Sequence, residues 1–96
     1  MNGYRLSKLA RSDLRQIWSF VAKDRPTSAD DLSESFYERF HLIARNPEVG
    51  ESRPDFGSGL RLLSAGSYII GFRPTPQRVQ IVRVVHGARD LRGLFR

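Results

Sequence analysis

Four residues in the second half of this 96-residue chain, Arg61, Arg73, Arg83 and His86, are of the types that hold and cleave phosphate esters. Guanidinium forks pair bidentately with phosphate oxygens, and a histidine at a strand end can move a proton near neutral pH. The three arginines fall on three consecutive expected strands, so they can form a row on one sheet face. With Arg61, Arg83 and His86 as the catalytic set, such a site can cleave RNA through its own 2′-hydroxyl without a metal ion. A plainer reading competes with this one: Arg83 pairs with a helix carboxylate, and His86 only closes the strand end.

Other chemistries find less support. His41 and His86 lie far apart with no carboxylate cluster or HxxxH spacing beside them, so neither a metal nor a cofactor is expected. "GSGL" at 57–60 lacks the GxxxxGK[ST] frame of a phosphate loop and reads as a turn. His86 and Asp90 can supply the base and orienting acid of a triad, but no serine is marked as the nucleophile. The chain has no cysteine, which excludes disulfides and thiolate metal sites.

The formal net charge is +6, and the charge is unevenly placed. Residues 1–48 hold eight basic and seven acidic side chains; residues 49–96 hold eight basic and three acidic, and every cation there is arginine. Nucleic acid, an acidic protein segment, or both are the partners this balance suits. The charged opening "MNGYRLSKLARSDL" has no apolar core of a secretory signal. No stretch approaches the roughly 20 apolar residues of a membrane helix, so the expectation is a cytoplasmic protein without membrane contact.

These residues must be positioned by elements whose periodicity changes midway. "YRL" alternates like a short strand, and Ser7 is a candidate helix N-cap. Ala10, Leu14, Ile17, Trp18 and Val21 form one helical stripe over about residues 8–23. Thr27 is a candidate cap for a second helix, with Asp30 in its first turn. That helix carries Ala29, Leu32, Phe36, Phe40 and Ile43 and stops at Asn46-Pro47. After a Gly/Pro-rich loop, strands are expected at about 60–64 and 67–73, followed by the long "RVQIVRVVH", the most buried and hence central strand. The result is a single domain, residues 1–96, of α+β class: a two-layer β-αα-βββ arrangement with a helix hairpin packed on an antiparallel sheet. Trp18 and Phe36 are expected between the layers, and the opposite sheet face is expected to stay partly open.

The chain closes on "HGARDLRGLFR". Gly87 is expected to turn the chain at positive φ, an Arg89–Asp90 pair to fix its exit direction, and Leu91 to anchor it. Leu94, Phe95 and Arg96 are then held out for a partner.

Three segments together resemble the ParE branch of the RelE/ParE toxin superfamily. Ala10, Asp13, Leu14 and Ile17 match its A-x-x-D-L-x-x-I helix. Arg53, Asp55, Phe56, Gly59 and Arg61 match its central R-x-D-[LF]…G-[LIV]-R segment, and His86, Gly87, Arg89, Asp90 and Leu91 match its H-G-x-R-D-[LIVM] ending. The resemblance implies a toxin of a bacterial type II toxin–antitoxin system that inhibits DNA gyrase and has no catalysis of its own. It also implies a hetero-oligomer with a cognate acidic antitoxin, of the ribbon-helix-helix type. The alternative is a ribosome-dependent mRNA endoribonuclease of the RelE type. Against it, the tail has no tyrosine and the C-terminal half no lysine. A third option is a toxin-like fold that has lost potency and persists as an antitoxin-bound corepressor. The surface expected to meet target or antitoxin comprises Arg61, Arg73, Arg83, Arg89, Leu94, Phe95 and Arg96.

Overall fold

The structure is a computed structural model and describes residues 3–95. A short strand, β1 (Tyr4–Leu6), leads through Ser7 into α1 (Lys8–Ala22), and α2 (Pro26–Arg45) returns antiparallel to it. Ser7 caps α1 as its sequence position predicts, its Oγ accepting the Ala10 N–H at 2.9 Å. Thr27 does not cap α2: that helix starts one residue earlier, at Pro26, whose fixed φ suits the first turn. Asp30 instead accepts the Trp18 indole N–H at 2.9 Å, tying the two helices together on their outer side.

Four further strands follow: β2 (Glu51–Ser52), β3 (Arg61–Ala65), β4 (Tyr68–Pro74) and β5 (Val79–His86). The sheet order is β1-β5-β4-β3-β2. β5 is an interior strand, between β1 and β4, as its apolar run implied, while β4 takes the middle place. The sheet is mixed rather than purely antiparallel, because β1 lies parallel to β5 with Tyr4 opposite Val79 and Leu6 opposite Ile81. The connection between this parallel pair is long, running through both helices and then β2, β3 and β4. A bulge between Gly71 and Phe72 leaves Val82 without an opposite residue, so Val82 joins Val85 on the face away from the helices.

Two cores result. On the helix side, Phe36, Phe40 and Ile43 meet Ile70, Phe72, Val79, Ile81 and Val84. On the far side, Leu60, Val82, Val85 and Phe95 are buried together. The face expected to stay open is therefore closed by the chain's own tail. Phe36 sits between the layers as expected, but Trp18 does not: it remains 42% exposed, because the fully buried residues of α1 are Ala10 and Asp13 alone.

Candidate functional site

Asp13 is the buried charge around which the molecule is tied. β1 ends at Leu6 while β5 runs on, so beyond Ile81 that edge of β5 has no strand beside it. The start of α1 covers the gap. Ser7 donates its Oγ–H to the Val82 carbonyl at 2.6 Å, and Asp13 Oδ2 accepts the Val84 N–H at 3.0 Å. The same carboxylate takes Arg83 bidentately, Nε at 3.0 Å and Nη2 at 2.7 Å. This hydrogen-bonded carboxylate holds the Arg83 guanidinium above its ordinary pKa, against the opposing effect of burial. Arg83 Nη1 reaches on toward the Leu94 carbonyl at 3.4 Å. Asp13 is absent from the expected site residues. The signal for it was its position three after Ala10 and four before Ile17, which puts it on the buried stripe.

The row of arginines does not form. Arg61 pairs opposite Phe72 and so faces the helix side, where it donates to the carbonyls of Glu48, Val49 and Gly50. Arg73, one residue on from Phe72, points to the other side and holds the Ser58 and Phe95 carbonyls at 2.7 and 3.1 Å. Arg83 pairs opposite Gly71 and is taken by Asp13. Each arginine holds irregular backbone or a helix carboxylate in place. His86 lies on the helix-side register, its ring edge-on to Tyr68 at 5.3 Å. Its Nδ1 accepts the Ala88 N–H at 3.1 Å, which puts the proton of the neutral ring on Nε2. Arg61, Arg83 and His86 thus lie on both faces of the sheet and do not converge on one point.

The tail departs from expectation in three respects. Phe95 is fully buried, seated over Gly71 so closely that a Cβ on that glycine would run into its ring. Asp90 pairs with Arg92 at 2.9 Å rather than with Arg89, and this pairing lowers the Asp90 pKa and raises that of Arg92. The left-handed glycine of the segment is Gly93 (φ 79°), not Gly87. Gly87 instead suits a close approach, its N–H meeting the Ser67 carbonyl at 2.8 Å. Arg96 lies outside the described residues. Leu91 and Leu94 are partly buried against the Phe95 core.

What the geometry does assemble is a cleft of about 240 Å³ between α1 and the end of β5. Ile17, Phe20, Tyr68 and Val84 make it apolar, and His86 and Arg89 stand in its lining as hydrogen-bond donor and cation. Phe20 is 72% exposed, and Arg89 has no side-chain partner among the described residues. A second apolar recess lies along the helix hairpin, lined by Leu14, Trp18 and Tyr37. An apolar side chain flanked by a carboxylate fits the first recess, and a further apolar anchor fits the second. No cluster of three metal-ligating side chains occurs among the described residues.

This architecture and these sequence segments match a known family. The model of the ParE toxin of type II toxin–antitoxin systems (parDE) matches residues 4–91. The chain belongs to the ParE toxin family. Toxin ParE1 of Caulobacter vibrioides is 30% identical over 93 residues, covering 96% of each chain. Toxin ParE1 of Mycobacterium tuberculosis is 34% identical over 92 residues, covering 92% of each. Among solved structures, a chain titled as a chromosomal ParDE TA system from P. aeruginosa has the same fold, with a TM-score of 0.77 at 21% identity over 90% of this chain and 96% of that one. The ParE match runs from β1 to Leu91 and so takes in the Asp13–Arg83 tie and the His86–Arg89 cleft. Phe95 lies beyond the matched span.

Proposed function

We propose that this ParE toxin arrests growth by inhibiting DNA gyrase in the cytoplasm, and that a cognate antitoxin of the ribbon-helix-helix type neutralises it in a hetero-oligomer. The observation that carries this reading is the family match over residues 4–91, which contains every element of the two layers. The geometry supports a protein-binding rather than a nucleolytic role, since Arg61 and Arg83 are engaged in holding backbone and Asp13 while His86 stands apart from both. An acidic antitoxin segment with apolar anchors suits the cleft of Phe20, His86 and Arg89 and the recess of Leu14, Trp18 and Tyr37. The unpaired cation Arg89 and the partly buried Leu94 are the residues of the expected contact surface, among those described, that a target can reach.

Purified toxin added to gyrase in a supercoiling assay, with coupled translation run in parallel, tests the target. Supercoiling should stop at toxin concentrations that leave translation intact. Translation lost first, with mRNA cleaved, would overturn the reading in favour of the endoribonuclease. For the antitoxin, Arg89→Glu should weaken binding, and raised salt should weaken it further, since exposed charge pairs are screened beyond about 8–10 Å at physiological ionic strength. Binding indifferent to both would exclude the acidic-segment arrangement.

A further inference from the structure

The far end of the sheet carries a second polar cleft that the toxin reading does not use. β1 and the β4–β5 turn enclose about 280 Å³ lined by Arg5, Thr75, Gln77, Arg78 and Gln80. Arg5 pairs opposite Gln80, and Gln80 opposite Arg73, so a basic and amide-bearing row crosses three strands on the face away from the helices. Of the row expected from Arg61, Arg73 and Arg83, Arg73 alone falls in this one. Arg73 is spent on the Ser58 and Phe95 carbonyls. Among the described residues, the side chains of Arg5 and Arg78 have no hydrogen-bond or ion-pair partner. The chain contains no carboxylate side chain in residues 1–12 or in residues 56–89, so neither contributing segment can neutralise them.

The turn that presents Arg78 is pre-set. Pro74 and Pro76 flank Thr75, fixing φ on either side of it. Thr75 exchanges backbone and side-chain hydrogen bonds with Arg78, the Thr75 N–H reaching the Arg78 carbonyl at 2.9 Å and Thr75 Oγ accepting the Arg78 N–H at 3.2 Å. Two unpaired guanidiniums are therefore held beside two amides in a cleft that no apolar residue lines.

We infer that this Arg5–Arg78 cleft binds the phosphodiester backbone of nucleic acid. Phosphate oxygens are recognised by Arg and Gln donors without an apolar anchor. An acidic peptide that orders on binding needs apolar anchors, and these lie about 20 Å away along β5, six residues from Gln80 to His86 at about 3.3 Å each. The two clefts are far enough apart to be filled at once. Binding is weak, independent of sequence and steeply dependent on salt, because two guanidiniums displace counterions from two phosphates.

The test is fluorescence anisotropy of the full-length protein with a labelled duplex of about 20 base pairs, a single strand of the same length, and a labelled polyglutamate of equal charge. Arg5→Gln/Arg78→Gln should bind the nucleic acids more weakly. Its loss of affinity between about 50 and 200 mM salt should be about tenfold smaller than that of the parent. A control with the same charge change on the helix hairpin, Arg11→Gln on α1 and Arg25→Gln in the loop before α2, should stay close to the parent, and thermal melts should show both variants folded. Equal loss in both double variants would reduce the effect to net charge and overturn the assignment. So would polyglutamate binding that depends on Arg5 and Arg78 as strongly as duplex binding does.

Discussion

On the helix side of the sheet, Phe36, Phe40 and Ile43 descend from successive turns of α2 onto Ile70, Phe72, Val79 and Ile81. On the far side a tail of a few residues closes the sheet with one ring, Phe95, set over Gly71. The first closure is repeated and local, each anchor backed by a neighbour three or four residues away. The second is single and remote in sequence, and it depends on Arg73 and Arg83 holding the tail's carbonyls. α1 belongs fully to neither. Its buried residues are Ala10 and Asp13, and it leaves Trp18 and Phe20 outward, so a charge joins its few apolar contacts in holding it to the fold. The large buried side chains of the helix layer thus come from α2, while α1 adds Ala10, Leu14 and Ile17 to that core and leaves Trp18 and Phe20 exposed.

The largest effect is expected on the helix side. Phe36 is 1% exposed and its ring meets Tyr68 edge-on at 5.4 Å. Phe36→Ala should cost about 3–5 kcal/mol, a fall in Tm of at least about 12 °C for a domain of this size. Thermal or urea denaturation measures it. A loss below about 1 kcal/mol would mean that α2 is not the principal anchor.

Phe95→Ala asks whether the tail is part of the core or a recognition element. It leaves the Leu94 and Phe95 carbonyls in place for Arg83 and Arg73 while removing the ring. The cost should be near the lower end of the same range, about 3 kcal/mol, because a chain end can settle partly into the hole it leaves. If Phe95→Ala melts with the parent yet abolishes growth inhibition, the ring serves recognition after all, and its seat on Gly71 must open on binding.

The same contrast explains what could be read in advance. The helices, the α2 stripe, the Ser7 cap and the long interior strand β5 follow from periodicity and local stereochemistry, and they lie where the pattern put them. The parallel pairing of β1 does not follow, since a three-residue strand carries too little pattern to choose an edge or a direction. Nor does the fate of the arginines: a guanidinium that binds a backbone carbonyl leaves no mark on sequence, because every residue supplies the same acceptor. The Phe95–Gly71 fit joins positions 24 apart through shape alone. Trp18 was placed inward because it shares a stripe with Leu14 and Ile17. The stripe is wider than the strip of α1 that meets the sheet, and the indole finds Asp30 instead.

Asp13→Asn probes the tie between the two closures, and its effect should be intermediate. The amide can still accept from the Val84 N–H but loses the charge that holds Arg83. Leaving a largely buried guanidinium with a weaker partner should cost about 1–3 kcal/mol. Because Arg83 also steadies the Leu94 carbonyl, hydrogen exchange should accelerate in residues 91–95 more than in α2. Uniform acceleration would show that the ion pair supports the whole fold rather than joining α1 to the tail.

The smallest effect lies at the sheet's edge, where the helix-side closure thins out. Tyr4 packs on Phe40 at 5.3 Å and on His41 at 5.2 Å, and burial, with a lesser contribution from Tyr37, raises its pKa above the ordinary 10.0. A raised pKa means that the folded chain holds this proton more tightly than the unfolded chain does. The stabilisation is therefore complete below pH 10 and is lost as pH rises through the folded-state value. The difference between the parent and Tyr4→Phe isolates this one hydroxyl. The parent should lose more Tm than Tyr4→Phe between pH 9 and pH 11. Parallel curves would place the Tyr4 hydroxyl in water and confine the helix-side core to the strands inward of β1.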